Sequence, residues 1–189
     1  DNGADVNVKN RLGASPISFA SSNGNINTVQ LLLDNGADVN AEDKDGRTPL
    51  MHASHDGYAD VAQLLIDNGA DVEYQDKDGW TVLMVAAKYG YEDTVKLLIE
   101  NGADVNVKDK YGASPINFAS YNGYTDTVQL LIDNGADVNA KNKDGESPIN
   151  FASFFGNTDT VKLLLDNGAD PYAKKHDGQT DLDYAKAKG

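Results

Sequence analysis

Apolar and polar positions along this 189-residue chain recur with a period of thirty-three. The clearest marker is Asn-Gly-Ala-Asp, which begins at Asn2, Asn35, Asn68, Asn101, Asn134 and Asn167. A fixed period in this range marks stacked supersecondary units. Before each marker runs a dense apolar stretch, such as Val29, Leu31, Leu32 and Leu33 or Val95, Leu97, Leu98 and Ile99. It leaves only a narrow polar strip, which predicts a helix held between neighbours rather than one lying on a single core. Asp60, Asp93, Asp126 and Asp159 fall in the first turn of that helix, where its dipole favours a carboxylate. Asn-Gly then ends it through a left-handed cap, and the following Ala-Asp-Val-Asn leads out to the next turn.

The rest of each unit is equally regular. A turn glycine recurs at Gly13, Gly46, Gly79, Gly112, Gly145 and Gly178. Two residues on stands a hydroxyl N-cap (Ser15, Thr48, Thr81, Ser114, Ser147, Thr180), followed in four units by Pro16, Pro49, Pro115 or Pro148 at the first helical position. The short helix that starts there carries Ala20, Ala53, Ala86, Ala119, Ala152 or Ala185, small enough to let neighbouring helices approach, and is predicted to stop at Gly24, Gly57, Gly90, Gly123 or Gly156. The full units run 10–42, 43–75, 76–108, 109–141 and 142–174. One such unit cannot bury its apolar face alone, so the units must stack. The fold class is all-α, a solenoid of helix-turn-helix units joined by β-turn fingers.

With "DKDGRTPL" (Asp43 to Leu50) and "LLIDNGADV" (Leu64 to Val72), the chain resembles the ankyrin repeat family over essentially its whole length. It departs where the family usually has His after TPL. Here stand Ser18, Met51, Met84, Asn117, Asn150 and Asp183. In the family that histidine helps tie neighbouring helix starts by hydrogen bonds, so a different local network is expected here, above all at the two methionines. The resemblance also favours an intracellular protein. Residues 1–9 read as the exit loop of a preceding partial repeat, and 175–189 as a partial C-terminal repeat, turn and first helix, polar enough to serve as a cap. The pattern therefore reads as part of a longer array. Its first full repeat, without a polar cap, offers a stacking face for end-to-end self-association.

Composition narrows the function. A hydrophobic content of 40% with no long apolar run supplies cores but no membrane span, and no basic start with an apolar segment marks a signal peptide. The absence of cysteine removes disulfides, thiol nucleophiles and zinc-thiolate sites, without fixing a compartment. A formal net charge of -14 argues against nucleic acid as the main partner, since phosphate binding needs a basic footprint.

Catalytic chemistry finds little support. His52 and His55 stand three apart on a first helix with Asp56 and Asp60 close in sequence, the spacing of a metal pair. His52, however, fills the place held elsewhere by Phe19, Val85, Phe118 and Phe151, which predicts packing between units. The recurring Asp-Lys-Asp-Gly fails as a calcium loop, because Ala41 and His52 occupy the positions where ligands would be needed around Gly46. No nucleophile triad or phosphate-binding loop can be recognised. The expectation is a non-enzyme with no cofactor and no metal.

Function in a solenoid belongs to positions that vary while the frame stays constant. In the ankyrin family the variable places line the finger tips and a concave groove that grips partner proteins, so the resemblance implies a binding surface there. The candidate residues are Arg47, His55, Trp80, Lys88, Tyr89, Lys110, Tyr111, Tyr121, Asn122, Phe154 and Phe155, with the aromatic ones gathered in the third to fifth full repeats. Arg11, Lys44, Lys77, Lys108, Lys141, Lys143 and Lys174 fall in variable places too, so the acidic excess must lie on the back and in the Asn-Gly-Ala-Asp loops. The expected partner is a protein or peptide with acidic and apolar residues, steered by charge and anchored by rings. Two rival readings remain: an engineered or structural repeat scaffold with no native partner in this form, and a nucleic-acid or small-ligand binder using lysines and rings together. Tyr58, Tyr91 and Tyr124, one residue beyond the helix-ending glycine, recur with the frame and read as structural.

Overall fold

The protein is described by a computed structural model covering residues 5–172. The partial repeat expected over 175–189 lies outside these described residues, as do Asp1 to Ala4. Ten α-helices and no strands occur among the described residues. They come in pairs: α1 (Pro16–Ser22) with α2 (Ile26–Asp34), α3 (Pro49–His55) with α4 (Ala59–Asp67), α5 (Val82–Tyr89) with α6 (Glu92–Glu100), α7 (Pro115–Asn122) with α8 (Thr125–Asp133), and α9 (Pro148–Phe154) with α10 (Thr158–Asp166).

The local signals act as the pattern requires. Ser15 and Thr48 have extended backbone, and their hydroxyl oxygens accept the Ser18 and Met51 N–H, with proline at the first helical position. Each second helix ends in a paired cap. The Ala70 N–H donates to Leu65 O at 3.0 Å and the Gly69 N–H to Ile66 O at 2.9 Å, the two bonds of a Schellman motif. Gly69 has φ 88°, and a Cβ placed there would meet nothing within 4 Å, so the demand for glycine is one of backbone conformation alone. α7 ends as predicted, capped by left-handed Gly123, whereas α1, α3 and α9 stop one residue earlier. In α1 the cap is Asn23, and Gly24 takes the left-handed turn after it.

The chain divides into two compact units. In the first, residues 5–86 and 93–103, α1 packs on α2 and α3, and α4 packs on α2 and α3. Ile17, Leu50, Leu83, Val61, Leu65 and Leu98 are fully buried there. In the second, residues 87–92 and 104–172, α7 packs on α8 and α9, and α10 packs on α8 and α9, around Ile116, Val128, Leu131 and Leu164. Each such side chain contributes about 1.5–3 kcal/mol through burial.

The place where the family usually has His is solved in three ways, the first being Ser18, whose buried hydroxyl lies 3.0 Å from that of Ser15. Met51 and Met84 are buried as apolar fillers, and only the Thr48 and Thr81 hydroxyls accept the helix-start N–H groups. Asn117 and Asn150 instead form capping boxes: Asn117 Oδ1 accepts the Ser114 N–H at 2.9 Å and its hydroxyl at 2.8 Å. Asn117 Nδ2 also donates to Ala140 O at 3.3 Å, tying this helix start to the next finger. The expected loss of a polar network therefore occurs at the methionines and not at the asparagines.

Two further ties were not legible as such. The Asn of each Ala-Asp-Val-Asn clasps the loop one period on: Asn40 Nδ2 donates to Gly69 O at 3.1 Å while its Oδ1 accepts the Asp71 N–H at 3.0 Å. Asn7, Asn106 and Asn139 do the same. Glu73 occupies this place in one unit and has no side-chain N–H to offer Gly102.

Candidate partner-binding surface

Each finger is built on a carboxylate or amide three residues before its turn glycine. Asp43 Oδ1 accepts the N–H groups of Asp45 and Arg47, both at 2.9 Å, while the Gly46 N–H closes the turn onto Asp43 O. Asp109 does the same for Tyr111 and Ala113 and is itself buried. Neighbouring fingers are joined by backbone bonds: Lys44 N–H to Leu12 O in the first unit, and Lys143 N–H to Tyr111 O at 2.8 Å in the second. Within each unit the bonded finger tips are thus fixed in register, and their side chains project from an ordered edge.

In the first unit the sequence-selected residues do not form an aromatic surface. Arg47 is exposed and lies 3.9 Å from Asp45, a solvated pair worth little. His55 is exposed, its Nδ1 2.9 Å from Asp56 Oδ1. Trp80 is half-buried, with its N–H bonded to Asp76 Oδ1. His52 is also half-buried, as its apolar counterparts imply, and its Nε2 lies 3.2 Å from Asp43 Oδ2 without hydrogen-bond geometry. Burial holds the His52 pKa below its ordinary 6.5; the Asp43 carboxylate opposes this, and Arg47 and His55 reinforce it. Among the described residues no group of three or more His, Asp or Glu is placed to hold a metal ion.

In the second unit the rings come together. Tyr121, at the end of α7, and Phe155, just past α9, have centroids 4.1 Å apart at 50°. Phe154 meets Phe155 edge-on at 4.9 Å, and Phe151 stands 6.1 Å from Tyr121. Such pairs contribute about 0.5–1.5 kcal/mol beyond area burial. They remain open to solvent all the same: Tyr121 and Phe155 are 45% exposed and Phe154 is 56% exposed. Tyr111 is 60% exposed at its finger tip, with Lys110 Nζ 5.1 Å from its ring centroid. Asn122 is exposed, and its Nδ2 closes the end of α7 onto Phe118 O. Lys88 and Tyr89 are half-buried, the lysine 5.5 Å from the Tyr89 ring, which stacks on Tyr91 at 6.1 Å. Expected as free groove residues, Trp80 and Tyr89 are instead partly covered.

The frame tyrosines take a specific role. A Cβ on Gly90 would lie 2.6 Å from the Tyr124 ring, and one on Gly24 2.6 Å from the Tyr58 ring, so each tyrosine lies flat against a glycine. In the last helix pair Asn157 replaces the tyrosine. Its Nδ2 donates to Ser120 O at 3.0 Å and Tyr121 O at 3.1 Å, which fixes the backbone that carries the Tyr121 ring. Sequence reading missed Asn157. The only signal was its standing where Tyr58, Tyr91 and Tyr124 recur.

Charge is unevenly spread in this unit, although Asp144 is exposed beside Lys143 and Lys162 is exposed on α10. Lys108, Lys110, Lys141 and Lys143 are exposed on the fingers, while Asp133, Asp137, Asp166 and Asp170 are exposed around the ends of the second helices. No helix of the described residues is long and apolar enough to cross a membrane. Comparison with known families gives a match to a model described as ankyrin repeats (3 copies), over residues 2–76, 57–142 and 116–189. No individual curated protein matches.

Proposed function

The chain belongs to the ankyrin repeat family, and we propose that it is a non-catalytic binding module that grips a protein or peptide on the surface formed by Tyr111, Tyr121, Phe154 and Phe155. Ankyrin repeats generally mediate protein–protein interaction and are generally non-catalytic. We place the repeats at 10–42, 43–75, 76–108, 109–141 and 142–174, between the partial units 1–9 and 175–189. The observation that carries the binding reading is the exposed cluster of Tyr121, Phe154 and Phe155, ordered by ring contacts and by the Asn157 amide. Their counterparts elsewhere include Ser22, His55 and Asn23, so the frame does not require a ring at any of these places. Contiguous exposed aromatics are the groups that dominate interface energetics. Lys88 and Tyr89 border the same unit and belong to the surface as supporting groups, whereas Arg47, His55 and Trp80 belong to the other unit.

Affinity capture with the intact chain and with a Tyr121→Ser/Phe155→Ser variant tests this reading, each at two salt concentrations and with nuclease added. A partner protein retained by the first and lost by the second, after nuclease, supports it. Identical captured sets, or capture abolished by nuclease, would turn the reading towards a plain scaffold or a nucleic-acid binder. Self-association has a separate basis in the first unit. Thr28, Leu31 and Phe19 are exposed where Val61, Leu64 and His52 one period later are buried or half-buried, leaving a face that fits another helix pair. Sedimentation of the wild type and Leu31→Glu tests it, with a monomer in both cases counting against it.

A further inference from the structure

We infer that the partner of the second unit is an acidic segment carrying a bulky apolar anchor, with a carboxylate three or more residues from that anchor. The inference rests on the binding reading above and specifies its ligand. Two features of the unit lead to it.

The first is the polarity of the surface along α9. At the start of the helix stands the finger of residues 142–146 with exposed Lys143, bonded through its backbone to Tyr111 in the neighbouring finger beside Lys110. At its end stand the exposed rings of Phe154 and Phe155 against Tyr121. α9 alone spans about 10 Å at 1.5 Å per residue, and Lys143 precedes its first residue, Pro148, by a further stretch of finger, so cations and rings stand at opposite ends of at least this helix. An extended segment covers about 3.3–3.6 Å per residue, so its acid and its anchor stand three or more residues apart. The second feature is the sign of the charge. The protein is strongly acidic overall, yet this edge exposes four lysines, Lys108, Lys110, Lys141 and Lys143, against one exposed carboxylate, Asp144, while Asp133, Asp137, Asp166 and Asp170 are exposed at the second-helix ends. A basic segment would be drawn to those helix ends; an acidic one is steered to the fingers and the rings beyond them. Asn157 holds the Tyr121 backbone and Phe155 packs on its ring, so the apolar end of the surface is formed before a partner arrives.

The test is selection from a random twelve-residue phage-displayed peptide library on the intact chain, with circular dichroism of each variant to establish that it is folded. The expected outcome is enrichment of peptides with Asp or Glu three or more positions from Phe, Leu or Trp. Their retention should fall tenfold or more with Lys110→Glu/Lys143→Glu, and by a smaller factor with the charge-neutral Lys110→Gln/Lys143→Gln. Enriched peptides that are basic or uncharged, retention indifferent to the charge reversal, or no enrichment over a blank surface would each overturn the inference. Retention that depends on Phe154 and Phe155 in peptides without acids sinks this inference alone. Retention that survives Phe154→Ser/Phe155→Ser removes the binding reading beneath it as well.

Discussion

The helix pair α3/α4 of the first unit and the pairs α7/α8 and α9/α10 of the second are built on the same frame, yet they differ at two levels. At the start of the first helix, Met51 fills space where Asn117 and Asn150 make closed hydrogen-bond networks. At its end, the solvated pair His55 and Asp56 stands where the second unit carries Tyr121 with Asn122, and Phe154 with Phe155. The first difference is internal, and each solution is self-consistent: a buried methionine that calls for no partner, or an asparagine whose amide oxygen accepts both the N–H and the hydroxyl of the serine before it. The second difference lies on the outside, where the rings gain contact with one another and remain open to solvent. A frame that accepts His-Asp and Phe-Phe at the same place does not depend on either, which leaves the outer residues free to serve a partner.

The largest expected effect concerns the glycines that frame tyrosines lie against. Gly90→Ala adds about 1–2 kcal/mol of left-handed strain and about 1–3 kcal/mol from a Cβ pressed into the Tyr124 ring, the geometry that Gly90 avoids. Gly69→Ala carries only the strain, since open space surrounds its Cβ. Urea unfolding of both variants should give a clearly lower midpoint for Gly90→Ala. Equal midpoints would remove the ring from its structural role.

Next in size is the internal difference. Asn117→Met leaves the buried Ser114 N–H without its acceptor, a loss of about 1–3 kcal/mol. Met51→Leu removes no hydrogen bond, because the Met51 side chain makes none, and should cost less than about 1.5 kcal/mol. Calorimetry of the two variants would break the comparison if Asn117→Met proved the milder.

Much of this was legible in the sequence because it is local. Turn glycines, hydroxyl caps, Pro16 and its copies, and the Asn-Gly helix ends each act within a few residues, and a period of thirty-three repeats each signal. What escaped was long-range. Asn40 reaches Gly69, and Asn157 reaches Ser120, across 29 and 37 residues, and nothing in the local pattern distinguishes such an asparagine from a solvated one. The ring cluster was legible only as a set of residue types. That Tyr121, Phe154 and Phe155 are exposed while Trp80 and Tyr89 are half-covered depends on what lies above each of them. The buried Asp109 and its fellows were hidden for a related reason: a carboxylate in a turn looks solvent-facing until both acceptor bonds are seen.

The smallest effect is a pH dependence confined to the first unit. Burial holds His52 below its ordinary pKa of 6.5, so the unfolded chain takes up a proton there more readily than the folded one. Its contribution to stability is complete above that value and is lost as pH falls through it towards the lower folded value. His52→Val, which copies Val85, should flatten this decline in melting temperature below pH 6.5. A decline of unchanged slope would free His52 of it.

Whether frame and face are separate is decided by setting Phe155→Ala beside Tyr124→Ala, with urea unfolding and affinity for a library-selected peptide read on both. Phe155→Ala should lose tenfold or more in affinity, about 1.4 kcal/mol or more, with a midpoint lowered only by the lost ring contacts, about 0.5–1.5 kcal/mol for each. Tyr124→Ala, which removes the ring lying on Gly90, should lower the midpoint and leave affinity within twofold. A Phe155→Ala protein that unfolds early and binds normally would contradict this, and would make the exposed rings part of the frame.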